Sequence, residues 1–528
     1  MGHTKPQFPC FQWRKSEHGD WERDVDECEM FYILSIREGS GCYPVTGCAS
    51  FTTDSSNNPT INEDNHEKGY RVEDALRKAW MTLCYRHPTL RSRINYDEDS
   101  GQWKRVYSIL RDMEEEKQWL DSTFKAIDID VEPLQWFNND STYFETSTVF
   151  LVRSKEGSQC HQAVFIRCPH DVTDGVGVLQ LIDQLFHHAA KAYKEGVSYI
   201  LRESGNDHAR LSPCLRVAAA IPESFSEAQF KRFEDIQTEN GEIYNHPGLL
   251  GLPPSSVASA SGQGKRQRLS LSIPEATTKQ ILHNCKSIAP GVSVTHVFMA
   301  ALAQTLCSLQ PQKEESYPVR YVNHSMLNLR PYFRNPYDSP EHAAAAYHTV
   351  SAQALRIDLA VPSSSSDAKN RDRVDELPQI ATKVRDYYKL VRPVSSTDEQ
   401  IILAPLMFKS LIPPPGSDPH AVSDPPFYPV PLSSIGNVVS IVTADHDPFK
   451  LTRVWAASEP IGAGVAIFLG TWDGQIELSA VFDTRYHDAE YIENFLQRIV
   501  DCVYEGLRIN EHTAPSQAMP VEQGEMYL

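Results

Sequence analysis

The 528-residue chain has no C-x-x-C pair, and its eleven cysteines are odd in number and scattered. With no charged-then-apolar leader in the opening "MGHTKPQFPC", this favours a reducing cytoplasm over a disulfide-built secreted fold. The Met-Gly start has Pro6 where a myristoylation signal needs Ser or Thr, so lipidation is not expected. No uninterrupted apolar run approaches spanning length, and no membrane association is expected. An excess of positive charge is missing too. The formal net charge is −19, which argues against nucleic acid and anionic membranes as partners.

Several catalytic signatures are also missing. No G-x-S-x-G elbow is present for a serine hydrolase. "GVGVLQ" lacks the third glycine of a dinucleotide loop, and "GQGKRQR" is no P-loop. There is no H-E-x-x-H and no Cys/His cluster, so no metal site is expected.

What remains is an ordinary globular composition, 41% hydrophobic and 23% charged, in a chain long enough for two or more domains. Helices are predicted over 71–87 (Val72, Leu76, Ala79, Trp80 and Leu83 on one face), over 274–287 with Pro274 at its start, over 293–309 and over about 488–507. Pro88 ends the first of these, and Ser293 or Thr295 caps the third. "LRSRINY" and "GQWKRVY" read as paired strands around "DEDSG". "TSTVFLV" and "QAVFIRC" read as a hairpin, and "GNVVSIV", "AGVAIFLGTW" and "QIELSAVFD" as late strands. Residues 204–270 are weakly patterned, and "GLPPSSVASASGQGKRQR" is the best linker candidate. "VPSSSSDAKNRDRVDE" and "IPPPGSDPHAVSDPPFYPVP" read as loops, and the last residues as a fraying tail.

One stretch stands out, "CPHDVTDGVGVLQLIDQLF" at 168–186. His170 sits at a strand end, Asp174 four residues on, and Gly175 at the entry to an apolar-periodic helix. Two readings stay open. His170 is a base projecting into a cleft, with Asp174 holding the turn and Gly175 letting the chain bend sharply. Alternatively, His170 is a structural donor and Asp174 a plain helix cap. As a base with an unperturbed ring, His170 would protonate near about pH 6.5. His187 and His188, inside the helix, read as structural.

The H-x-x-x-D-G pattern between strand and helix resembles the CoA-dependent acyltransferases, which include plant BAHD enzymes, chloramphenicol acetyltransferase and peptide-synthetase condensation domains. "RHPTLRSRI" (86–94), "SVTHVFMAALAQTL" (293–306), "VNHSMLNLRPYF" (322–333) and "SSIGNV" (433–438) match family segments in the right order. Pro169 replaces the first of the two consecutive histidines of condensation domains, which favours a free-standing O- or N-acyltransferase. The Asp-Phe-Gly-Trp-Gly element of plant BAHD enzymes is absent. Length and segment order are most similar to the fungal trichothecene 15-O-acetyltransferase group.

The resemblance implies an α/β chain of two chloramphenicol-acetyltransferase-like domains, each a mixed β-sheet with flanking helices, and an active-site channel between them. The boundaries expected are 1–215, a crossover linker 216–268, 269–507, and a tail 508–528. It implies acyl-CoA-dependent O-acylation, with acetyl-CoA as co-substrate, no bound cofactor, a small hydroxylated acceptor and a monomer. His170 is then the general base. Asp174, Gly175 and Arg330 support its loop, Asp174 pairing with Arg330. Ser434 and Asn437 are candidates for oxyanion or donor contacts. Lys265, Arg266 and Arg268 read as a solvated linker, with CoA phosphates as the alternative. The rival functions are amide formation and a non-catalytic binding protein on the same fold.

Overall fold

The computed structural model describes residues 10–35, 43–53, 65–139, 141–154, 161–200, 206–255, 264–364, 371–412, 414, 428–460 and 462–509. The first residues, much of the Pro/Ser/Gly linker, the Ser-rich and proline-dense loops and most of the tail lie outside the described residues.

The larger sheet has six strands, in the order Asp445–His446, Phe449–Ser458, Pro44–Thr53, Gln162–Pro169, Thr148–Ser154 and Phe124–Ile129. All neighbours are antiparallel except the last two, which run parallel. Its inner strands are apolar on both faces, as strands covered on both sides must be. Two of the six come from within 269–507, so the sheet division does not follow the chain order. A second sheet runs Leu432–Asn437, Ala466–Trp472, Gln475–Asp483 and Arg266–Ile273. The predicted strand "GNVVSIV" is displaced. Its pairing ends at Asn437, and Val438–Ser440 turns as a 3₁₀ segment.

The helix Gly175–Glu195 packs on the six-stranded sheet beside the helix Asn65–Arg86. Val178, Leu179, Leu181, Ile182, Leu185 and Phe186 are all fully buried there. At ~1.5–3 kcal/mol for each fully buried large aliphatic or aromatic side chain, this one face accounts for much of the helix's docking. Gly47 makes the close approach possible. A Cβ at that position would stand 2.8 Å from Ile182 Cδ1 and 2.9 Å from Val178 Cγ2. In the other half, Val294–Ser308 is buried on nearly every side and wrapped by Arg371–Val391 and Ala489–Gly506.

Three further stretches depart from the sequence reading. Glu227–Tyr244 is an α-helix inside the predicted linker, capped by Ser226 with Gln229. Only Ile236 and Asn240 of it are buried, so it has almost no apolar stripe to betray it. "NRDRVDE", read as loop, is overrun from Arg371 by the helix Arg371–Val391. Arg266 and Arg268 belong to a paired strand rather than a linker.

Candidate active site

The strand Gln162–Pro169 carries its pairing one step past Pro169, since the His170 amide donates to the Tyr43 carbonyl at 2.7 Å. This delivers His170 to the sheet's edge against the other half of the molecule. The loop after it is clamped from three sides. Thr173 donates its hydroxyl to the Ala343 carbonyl at 2.8 Å. Arg105, wholly buried, donates to the Asp171 carboxylate at 2.6 Å and to its carbonyl at 3.0 Å. Asp174 meets Arg330, whose Nη1 donates to both carboxylate oxygens at 2.8 and 2.7 Å.

Both readings of Asp174 hold at once. It is the N-cap of Gly175–Glu195, accepting from the Gly177 amide at 2.8 Å, and it is also the partner of Arg330. It further accepts from the Tyr347 amide at 2.8 Å. Arg330 donates its other nitrogen to the Ala345 carbonyl at 2.8 Å. Burial opposes charge on the carboxyl, but Arg330, then His348, and these hydrogen bonds hold its pKa far below the usual carboxylate range.

Gly175 serves differently from expectation. It does not adopt a left-handed conformation, and a Cβ there would meet only Ile435 Cδ1, at 3.2 Å. Gly177 is the constrained position. A Cβ would stand 2.3 Å from the Ala343 carbonyl oxygen, 2.4 Å from Thr173 Oγ1 and 2.9 Å from Arg330 Nη2. The first turn of the helix is pressed against the opposite half, and only glycine fits.

His170 is buried in an aromatic and histidine surround that sequence reasoning missed. Tyr32 stacks on its ring, with centroids 4.0 Å apart and planes 4° from parallel. Tyr43 lies at 5.7 Å and His348 at 5.5 Å. The Tyr32 hydroxyl and His348 Nε2 are 2.7 Å apart. His348 Nδ1 stands 3.7 Å from Asp174. Tyr32 and His348 are 316 positions apart in the chain, and no local pattern marks either. Burial, with nearby His348 second, pushes the His170 imidazole down to about 3. This corrects the expectation of an ordinary histidine, because the ring stays neutral throughout the physiological range. Its Nδ1 is sealed from solvent, with only loose backbone hydrogen bonding to the ring from His170 itself and Thr173.

The other candidates lie elsewhere. Ser434 is hydrogen-bonded to Thr295 at 2.8 Å, and Asn437 is exposed at the end of its strand. Neighbouring Ile435 faces Gly175, so this strand does approach the start of the helix. Arg266 pairs with Asp483 and Glu459. Arg268 is buried over the Trp455 ring and pairs with Glu477. The Lys265 backbone is tied to Thr484. Neither arginine is a solvated linker residue. Among the described residues no group of side chains is suited to hold a metal, and no helix is long and apolar enough to cross a membrane. The described cysteines are free thiols.

No family model matches the chain. It is 26% identical over 345 residues to the acetyltransferase pigO of Monascus ruber, covering 63% of this chain and 67% of that one. It is 23% identical over 512 residues to the O-acetyltransferase pigM of the same organism, covering 92% and 85%. In fold it matches the TRI3 trichothecene 15-O-acetyltransferase from Fusarium sporotrichioides, with a TM-score of 0.73 at 13% identity, over 96% of this chain and 100% of that one. It also matches the first condensation domain of the calcium-dependent antibiotic synthetase, with a TM-score of 0.57 at 14% identity, over 92% and 96%. The expected two-domain α/β architecture is met. So is the resemblance to the CoA-dependent acyltransferases, and the chain is an acyltransferase by its named relatives.

Proposed function

We propose that this acyltransferase moves an acetyl group from acetyl-CoA to a hydroxyl of a small secondary metabolite, with His170 as general base. The observation that carries the reading is a neutral, buried imidazole at the junction of the two halves, beside a carboxylate committed to Arg330 rather than to catalysis. The acceptor hydroxyl gives its proton to His170 Nε2 as its oxygen attacks the thioester carbonyl. A tetrahedral oxyanion forms and collapses, the carbon–sulfur bond breaks, and the proton on His170 passes to the departing thiolate. No acyl-enzyme is needed, and the chain carries no nucleophile motif that would form one.

Asp174 and Arg330 hold the loop, and their mutual neutralisation keeps a full negative charge away from the imidazole. An unpaired carboxylate there would raise the imidazole pKa. Ser434 and Asn437 remain candidates for donor contacts on the strand that faces Gly175. As acceptor we propose a hydroxylated sesquiterpenoid of trichothecene type, at its C-15 hydroxyl. The match to TRI3 supports testing it first, and other fungal secondary metabolites stand next. The protein is proposed to act as a cytoplasmic monomer.

The test is release of free CoA from acetyl-CoA in the presence of a panel of sesquiterpenoid alcohols, other alcohols and amines, with product masses read. An O-acetylated product from a panel alcohol is expected. Amide products alone, or tight acetyl-CoA binding without any turnover across the panel, would overturn the assignment.

A further inference from the structure

The groups around His170 form a connected series that the acyl-transfer steps leave unused. Asp174 stands 3.7 Å from His348 Nδ1, and His348 Nε2 lies 2.7 Å from the Tyr32 hydroxyl. Tyr32 lies flat on His170 at 4.0 Å. Each member comes from a different element. Tyr32 is on the helix Glu27–Leu34, His348 opens the strand His348–Val350, and Asp174 caps Gly175–Glu195. All are buried, and Phe408 closes the far side of His348 edge-on, 5.7 Å away.

A stacked ring fixes two things about an imidazole, its plane and its water. The His170 ring has only loose backbone hydrogen bonding, from its own residue and from Thr173, and Nδ1 meets no close partner. The flat contact with Tyr32 adds a close constraint on ring rotation. Tyr32 can serve in this way only if its own ring is fixed, and its hydroxyl is fixed by His348. The helix bearing Tyr32 is anchored independently. Glu29, one turn earlier, accepts from Arg23 at 2.7 Å through both oxygens and from Arg105 at 2.9 Å. Arg105 is also the residue that clamps Asp171, next to His170.

We infer that Tyr32 and His348 are positioning residues for the catalytic imidazole, and that Asp174 orients His170 through them as well as through the loop. The inference rests on the reading of His170 as general base. The titratable groups facing His170 are Tyr32, Tyr43, His348 and Asp174, the last neutralised by Arg330.

The test uses the full chain with ¹³Cε1-labelled histidine, the His170 signal being assigned by its loss in His170→Gln. In Tyr32→Ala, water reaches the exposed ring face. The His170 titration should then rise toward about 6.5, and kcat should drop on the order of 10²-fold, the scale of a misplaced catalytic group. KM for acetyl-CoA should change little. Tyr32→Phe keeps the ring. Its lost hydroxyl breaks the same link to His348, so it should move the titration and the rate only part of the way toward Tyr32→Ala, as His348→Ala does. His348→Ala should reproduce the Tyr32→Ala phenotype in weaker form, and the double variant should be no worse than Tyr32→Ala, since the two act in series. If Tyr32→Ala does not fold, the His348→Ala titration decides alone. An unmoved His170 titration with kcat within threefold of wild type, or losses that add in the double variant, would overturn the inference. His170→Gln separates the two readings. If it retains wild-type turnover the general-base assignment fails, whereas an inactive His170→Gln beside a normal His348→Ala sinks only the positioning role.

Discussion

Asp174 and Arg330 are each almost wholly buried, with side chains 6% and 3% exposed. Removing one partner leaves the other as an uncompensated buried charge, which costs roughly 3–5 kcal/mol. Asp174→Asn and Arg330→Ala should each destabilise the fold on that scale in denaturant titration, and the double variant should lose less than their sum. Two neighbouring glycines give a sharper contrast. Gly177→Ala forces a Cβ into backbone and the Arg330 guanidinium, so it should cost about 1–3 kcal/mol or more and lower the acyl-transfer rate. Gly175→Ala meets only the end of a flexible isoleucine and should stay within about 1 kcal/mol of wild type by the same measurement.

At this scale His170, Asp174 and Arg330 were legible because a short pattern and family segments name them. Tyr32 and His348 were not, since their contacts span hundreds of residues and stacking leaves no spacing rule. Gly177 lay in plain view in "DGVGV", but the need for it arises from Ala343, which only the folded chain brings there.

The helix Glu27–Leu34 shows how an element can be held by charge as well as by its buried apolar face of Cys28, Tyr32 and Ile33. Glu29 closes a capping box with Asp26 while taking three hydrogen bonds from Arg23 and Arg105, which come from the paired strands Trp21–Asp24 and Gln102–Tyr107. Burial opposes ionisation, but the two arginines overcome it and lower the Glu29 pKa to about 2. A depressed carboxyl stabilises the fold above its unfolded value, about 4.3, and that contribution is lost as pH falls through the folded value. Glu29→Gln should therefore be strongly destabilised at pH 7, with the gap to wild type narrowing as pH drops from about 4.3 toward 2. An equal gap at every pH would show that the charge is not what holds the helix.

Elements with strong periodicity, such as Gly175–Glu195 and Ala489–Gly506, were readable from sequence alone. Glu227–Tyr244 was missed because its exposed face dominates its composition. Arg268 was misjudged because a basic cluster beside a Gly/Ser run looks solvated, whereas here an aromatic ring and a glutamate bury it.

Across the whole molecule, burial is the largest cause of the lowered pKa of several histidines. His170 falls to about 3 and His87, His188 and His296 to about 4, while His324, His342 and His487 are lowered as well. Such rings are neutral in the folded protein but take up protons when unfolded, below about pH 6.5. The unfolded state then binds more protons, so their share of stability is present above about pH 6.5 and declines as pH falls toward 3–4. Unfolding midpoints in denaturant should drop progressively below pH 6.5. A midpoint flat from pH 7 to 5 would contradict the burial of these rings. The division of the chain into two halves was readable in outline. The crossing of Phe449–Ser458 into the other half's sheet was not, because pairing partners separated by some 400 residues are set by the fold and not by local pattern.

Removal of one group, the buried imidazole of His170, tests its role as the base most directly. His170→Ala should fold and bind acetyl-CoA nearly as wild type does, while acetyl transfer to the acceptor falls by roughly 10²–10⁴, the usual worth of a positioned general base. Because burial holds the ring near about 3, the wild-type rate should show no acid limb near pH 6.5 other than the loss that follows unfolding. A folded His170→Ala protein that turns over within tenfold of wild type would contradict general-base catalysis by His170 and leave the histidine as the structural end of a strand.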